Sequence, residues 1–417
     1  MNAILYKKTG NKGIIMLCLM VLGFGGRAQT INTIAGSGSA GFNGDLPATA
    51  TQLWAPTGVA VSGGVVYVAD RRNNRIRRIN GQGPVLTIAG NDNSDNTGDG
   101  GPATDASLND PAGIAVDGTG NIYFADKSNN RVRKITPDGM ITAFAGNGEK
   151  GWSGDGGAAT AATLKTPVGV AVDRAGNVYI ADAGNNIVRK VTPQGVISTI
   201  AGTGVAGYTG DTLKAVAVQL NAPTGVAVDT AGNVYIADTW NYRIRKVTPD
   251  GKISTVAGTG GAGNKGDMDR ATAAELNLPT GVAVDKEGSI YIAEQGSNRV
   301  RRVVPSGYIY TLAGTTNAGF SGDGGPGTLA DMNEPYGIAL DGAGTCLYVA
   351  EQENNRVRRI NIPPIPKVVK PAPATAKAPT QQQPFKSPPP MRSGTPTYQP
   401  SPSGPNGVGQ TTYHRKG

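Results

Sequence analysis

Short apolar runs separated by turn residues recur along most of this chain, and the unit that recurs is one of 56 residues. In one copy, residues 225–228 are apolar, Asp229-Thr230-Ala231-Gly232-Asn233 is a turn, and Val234-Tyr235-Ile236-Ala237 is a second run rich in strand formers. Residues 238–241 turn the chain, and 243–247 form a third run. Thr248-Pro249-Asp250-Gly251 then supplies proline, aspartate and glycine in the order of a tight turn, and 253–257 form a fourth run. Pro56, Pro111, Pro167, Pro223, Pro279 and Pro335 open six such copies at intervals of 55, 56, 56, 56 and 56 residues. Each proline is followed by x-Gly-[Val/Ile]-Ala-[Val/Leu]. A period of this size marks a solenoid, a propeller or an array.

Four short antiparallel strands per copy predict an all-β fold, a six-bladed β-propeller of four-stranded antiparallel blades. The sixth copy runs from Asn361 into Pro363-Pro364 without its fourth strand. The missing element lies at the other end. Ile31-Asn32-Thr33-Ile34-Ala35-Gly36 matches Ile197-Ser198-Thr199-Ile200-Ala201-Gly202, so an N-terminal strand is expected to complete blade six and close the ring.

The strings Gly232-Asn233-Val234-Tyr235-Ile236-Ala237-Asp238 and Asn129-Asn130-Arg131-Val132-Arg133-Lys134 resemble NHL repeats, and the resemblance covers residues 31–361. It implies the propeller fold. It implies no single task, since NHL propellers serve as enzymes, nucleic-acid binders, sensor domains and interaction scaffolds.

The ends read differently from the middle. Lys7, Lys8 and Lys12 precede an apolar run over residues 14–24, and Gly26-Arg27-Ala28 places small residues at both cleavage-determining positions. Residues 1–28 are therefore expected to be an export signal cleaved before Gln29, placing the protein in the periplasm or outside the cell. The apolar run is short for a membrane span, and none is expected after cleavage. Cys346 is then the one remaining cysteine and forms no internal disulfide. Residues 362–417 hold half of the prolines, with serine, threonine, glycine and Gln381-Gln382-Gln383 between them, and are expected to be a disordered tail.

Charge changes the picture once it is divided. The chain carries +9, of which the first 28 residues hold +4 and residues 362–417 hold +7, each without an acid, so residues 29–361 are left at −2. A weakly acidic ring lacks the basic face that RNA-binding NHL domains need, so no nucleic-acid partner is expected.

Strand order places the turns after each second strand together with the blade-to-blade connections on one face, here called upper. These connections run about twenty residues, which makes this face the natural place for a ligand. Asp70, Asp126, Asp182, Asp238, Glu294 and Glu351 stand there once per blade. Such a ring of acids offers oxygen ligands for calcium. However, Arg75, Arg131, Arg243, Arg299 and Arg356 follow five residues later, so the expected role is mainly structural, with Asp182 the exception because Ile187 replaces its arginine. Asp45, Asp99, Asp155, Asp211, Asp267 and Asp323 follow glycines in the connections and are expected to cap their own turns.

The resemblance also implies chemistries to test. Peptidylglycine amidating lyases hold zinc through histidines, and streptogramin lyases use a histidine base. The one histidine of this chain is His414, in the tail, which removes both. A calcium-assisted hydrolase or lyase, similar to gluconolactonase-like propellers, needs only Glu, Asn and Asp near the axis and stays as the alternative to a non-catalytic binding module.

Residues that occur once are better candidates for touching a ligand than residues that occur six times. Blade four has Trp240 where the others have Arg72, Ser128, Gly184, Gly296 and Glu353, and Tyr242 where all five others have asparagine. Phe42, Trp152, Tyr208 and Phe320 each precede a connection aspartate by three. Trp152 and Tyr208 flank blade three and join Trp240, Tyr242 and Asp182 as candidates for contact with a protein or glycan partner. A monomer without a cofactor is expected.

Overall fold

The computed structural model describes residues 29–364, apart from Gln82 and Thr212. The expected export signal and proline-rich tail, with His414, lie outside the described residues. Within them the chain forms six four-stranded antiparallel sheets in which consecutive strands are neighbours. The sheet of blade four is built from Pro223–Val228, Val234–Asp238, Arg243–Val247 and Ile253–Ala257, from the axis outward.

Blade six closes as the repeat pattern predicts. Ile31–Ala35 pairs antiparallel with Arg356–Asn361, with Ile31 opposite Ile360 and Thr33 opposite Arg358. Ile31 and Ala35 are fully buried. The chain leaving this strand crosses to blade one, so the ring is closed by one continuous segment rather than by side-chain contact alone.

The alternation of strand side chains builds the core between blades. Val234 and Ile236 face blade three and pack with Tyr179, Val188 and Ala201. Tyr235 and Ala237 face blade five and pack with Val282, Ile290 and Ile292. The alanine-rich piece of each connection is a single 3-10 turn, such as Ala215–Ala217, that fits Ala215, Val218 and Leu220 into the same seam. Every seam is therefore apolar on both sides, which holds the ring without disulfides.

At the axis the blades meet through glycine. Gly58, Gly113, Gly169, Gly225, Gly281 and Gly337 form a ring in which a Cβ on any one would overlap the main-chain carbonyl of the next blade, Thr280 O in the case of Gly225. These glycines and Val59, Ile114, Val170, Val226, Val282 and Ile338 line a narrow axial channel open to solvent. Its walls combine these aliphatic side chains and backbone with Thr57, Thr224, Thr280 and Tyr336, and none of the lining residues is an acid or a base of the Asp, Glu, Lys, Arg or His type.

Candidate functional site

The upper turns follow one plan. Each second strand ends in an acid, a 3-10 turn of three residues follows, and a residue in the left-handed region ends it, such as Asn186 at φ 55 or Tyr242 at φ 53. Asparagine suits that conformation, whereas a tyrosine there costs on the order of 1 kcal/mol or more.

Asp70, Asp126, Asp182, Asp238, Glu294 and Glu351 are all fully buried. Each accepts a backbone N–H from the end of the preceding connection, as Asp238 does from Asn221 at 2.7 Å. In five blades the acid also meets the asparagine three residues on, as with Asn241 at 2.8 Å. The arginine pairing differs from the expectation. The partner is the arginine seven residues on, Arg77, Arg133, Arg245, Arg301 and Arg358, at 3.2–3.5 Å. Of the arginines five residues on, only Arg299 reaches its acid, Glu294, within 4 Å among the described residues.

A β-bulge accompanies this arrangement. The outer strand shifts register beside each of these arginines, as between Ile244 and Arg245, and the arginine is fully buried under the connection. There it also meets the connection aspartate: Asp45, Asp99, Asp155, Asp211, Asp267 and Asp323 lie 2.5–3.2 Å from Arg77, Arg133, Arg189, Arg245, Arg301 and Arg358. These aspartates tie the connection to the blade rather than only capping their own turns. Six fully buried arginines thus stand at the centre of the upper scaffold.

Asp182 remains an exception, for another reason. Arg189 binds Asp155 and the Thr163 and Ser153 carbonyls instead, leaving Asp182 to Asn185 and the Lys165 N–H. Burial, opposed by those hydrogen bonds and by Arg189 at longer range, pushes the Asp182 carboxyl up to about 7. A raised carboxyl pKa means that the folded chain keeps a proton the unfolded chain releases. The resulting stability is lost as pH rises from the ordinary carboxylate range through about 7. Between about pH 5 and pH 8, urea unfolding of the wild type should lose on the order of 1 kcal/mol or more relative to Asp182→Asn. Parallel pH slopes for the two proteins would disprove it.

Ile187 and Trp152 form a compensated pair. In blades two, four and six the arginine five residues after the acid lies against a connection glycine: Arg131 on Gly148, Arg243 on Gly260 and Arg356 on Gly38. In blade three Ile187 is too short for this, and the Trp152 indole takes the place over Gly204 while its N–H donates to Thr199 Oγ1 at 3.2 Å. Phe42, Tyr208 and Phe320 instead stack on guanidinium groups, with Arg75, Arg243 and Arg356 each 3.7 Å from the ring centroid. Tyr208 and Trp152 thus each have an intramolecular partner.

Among the described residues Trp240 has none of comparable kind. It stands 55 % exposed in the upper turn of blade four, its backbone N–H fixed to the Asn221 carbonyl at 3.2 Å. Tyr242 is half-buried beside it. Trp54, 43 % exposed, is a second upper-face tryptophan that sequence reading passed over because it stands just before Pro56, where the other copies carry polar residues.

The mouth of the axial channel gathers further residues that do not repeat. Tyr336 packs against the cluster containing Ala112, Val168 and Ala183, and burial pushes its hydroxyl up to about 12. Arg71 and Lys127 both bind Asp110, Gln295 donates to Glu334 at 2.8 Å, and Thr224 and Thr239 share a hydrogen bond of 2.7 Å. Among the described residues no group of three or more His, Cys, Asp or Glu is arranged to hold a metal ion.

The family described as "Teneurin NHL domain" matches residues 91–151, 146–208 and 204–265, and the family described as "NHL repeat" matches 53–79 and 276–303. Teneurin-4 of Mus musculus is 30% identical over 402 aligned residues, covering 86% of this chain. The alignment spans 14% of that relative's own length. Among solved structures, a protein of unknown function from Bacteroides thetaiotaomicron superposes with a TM-score of 0.60 at 19% identity, covering 80% of this chain and 76% of that one. An auxiliary nutrient binding protein from the same organism gives 0.58 at 14% identity over the same shares. At these identities the structures share the fold.

Proposed function

Given that this chain belongs to the NHL-repeat propellers, we propose that it is an exported, non-catalytic recognition module that engages a protein or glycan through its upper face at blade four. The observation that carries this is Trp240, a large aromatic held outward on a turn whose acid, asparagine and arginine are all engaged beneath it. A rigid, amphipathic side chain exposed at fixed orientation supplies contact area at little entropic cost. Net charge of −2 over residues 29–361 favours a neutral or mixed partner over a polyanion.

A calcium-assisted hydrolase or lyase would need acids with free lone pairs near the axis. The six ring acids are buried and engaged by backbone N–H groups together with asparagine or arginine side chains, and the residues lining the channel include no carboxylate. Binding without catalysis accommodates both facts.

Retention of a native partner from culture medium or envelope extract should fall about tenfold or more in Trp240→Ala, with the melting temperature nearly unchanged. Equal retention by the variant would place recognition elsewhere. Loss of retention that depends on added calcium would support the hydrolase reading instead.

A further inference from the structure

The residue four after each ring acid joins one blade to the next. In five seams it is asparagine, and its Oδ1 accepts the N–H of the residue before the next blade's opening proline. The distances are 3.0 Å for Asn74 with Asp110, 3.1 Å for Asn130 with Thr166, 2.9 Å for Asn186 with Ala222, 3.0 Å for Asn298 with Glu334 and 2.9 Å for Asn355 with Ala55. In four of these its Nδ2 also donates to a carbonyl of the connection leaving its own blade: Gly148, Gly204, Thr316 and Gly38, at 3.3–3.4 Å. One carboxamide thus fills a slot made of one backbone donor and one backbone acceptor.

The seam between blades four and five keeps the slot and lacks the carboxamide. Tyr242 stands at the asparagine position with the same left-handed backbone. Leu278 takes the place before the proline, at φ 45 like its counterparts, and among the described residues its N–H has no acceptor. Gly260, eighteen residues after Tyr242 as Gly148 is after Asn130, has a carbonyl with no donor among them. Leu278 is half-buried, and its N–H is a donor left for an incoming group. Trp240 stands exposed two residues before Tyr242.

We propose that this seam is a receptor for a side-chain carboxamide, supplied by an asparagine or glutamine on a partner protein's loop. The Leu278 N–H donates to its oxygen, and the Gly260 carbonyl accepts from its nitrogen. This rests on the recognition function above and specifies what is recognised. The protein's own asparagines in the other seams show the complementary group. The Tyr242 hydroxyl bonds to no protein group among the described residues, so turning the ring aside for a guest breaks no hydrogen bond. A primary carboxamide carries its oxygen and an N–H on the same side and reaches both backbone groups from one direction. The trans secondary amide of an N-acetylated sugar points them oppositely and reaches only one, which favours a protein over a glycan.

The test uses the full chain, isotope-labelled, titrated to millimolar concentrations with three probes. These are a blocked Gly-Asn-Gly peptide with a methylamide end, the same peptide with isosteric leucine at its centre, and N-acetylglucosamine. The asparagine peptide should shift the amide signals of Leu278 and Gly261 saturably, and the leucine peptide should not. Tyr242→Asn should supply the carboxamide internally. It should abolish those shifts and raise the melting temperature by roughly 1–3 °C. Equal shifts from both peptides, shifts from the sugar alone, or shifts that persist in Tyr242→Asn would each overturn the proposal. If Trp240→Ala loses its native partner while the asparagine peptide shifts nothing, the face binds by another chemistry. The recognition function then stands without this slot.

Discussion

Deleting residues 30–36 should abolish the cooperative thermal transition of the intact ring and drive the protein into aggregates. The deletion removes the strand that anchors the crossing from blade six to blade one, together with the fully buried Ile31 and Ala35. It leaves the ladder edge of Arg356–Asn361 bare, with Val357 and Ile360 losing their cover. It also frees the bond that the Asp323 carboxylate accepts from the Thr33 N–H at 3.0 Å. An exposed hydrophobic edge strand is a template for pairing with another copy. Calorimetry and size-exclusion chromatography read both effects. A truncated protein that melts with the intact one and elutes as a single compact species would show that the strand is ornamental.

Gly225→Ala should be nearly as damaging, although it adds one carbon atom. The new Cβ would overlap the Thr280 carbonyl oxygen and lie 3.2 Å from Val282 N and 3.3 Å from Ala237 Cβ. The neighbouring strand's backbone faces the new methyl with Ala237 Cβ on its other side, so the ring can admit it only by parting two inner strands held by the seams behind them. Overpacking of this kind costs about 3 kcal/mol or more when no side chain can yield. Gly342→Ala is the control, since a Cβ there meets nothing within 4 Å and the backbone is not left-handed. Denaturant unfolding of the two variants should differ widely. Similar values for both would mean that the axial glycines are a habit of the repeat rather than a packing requirement.

Much of this architecture is readable from the repeat because period-two alternation and turn chemistry are local. Val234-Tyr235-Ile236-Ala237 declares a strand, and the orphan Ile31–Ala35 segment declares closure, without knowledge of any neighbour. What the pattern hides lies between repeats or depends on a bulge. Residues five and seven after each acid are both arginine in most blades, and alternation puts both on one face of the strand. Proximity in sequence favours Arg243 for Asp238, whereas the fold, with a bulge opposite Ile244 and Arg245, pairs the acid with Arg245. Nothing in Ile253–Ala257 announces that bulge.

The seam asparagines were equally opaque. Asn130 reads as a turn residue, and its hydrogen-bond partner Thr166 stands 36 residues on, in the next copy. Trp152 and Ile187 looked like two separate departures from the pattern. They are one substitution spread over two positions, because a bulky ring fills over Gly204 what a shortened side chain left empty. Among the described residues, Trp240 and Tyr242 remain departures that no other substitution absorbs.

The closing strand also sets how the ring responds to load. Ile31 lies opposite Ile360, and Thr30 accepts the Asn361 N–H at 2.9 Å, so the chain enters and leaves blade six at the same end of an antiparallel pair. A force applied through residues 30 and 361 therefore meets the ladder rungs one after another, as a zipper does, rather than all together in shear. Heat must disrupt six seams at once, but a pull at that point need break only one hydrogen-bonded pair at a time. The ring is thermally closed and mechanically easy to open from a single place.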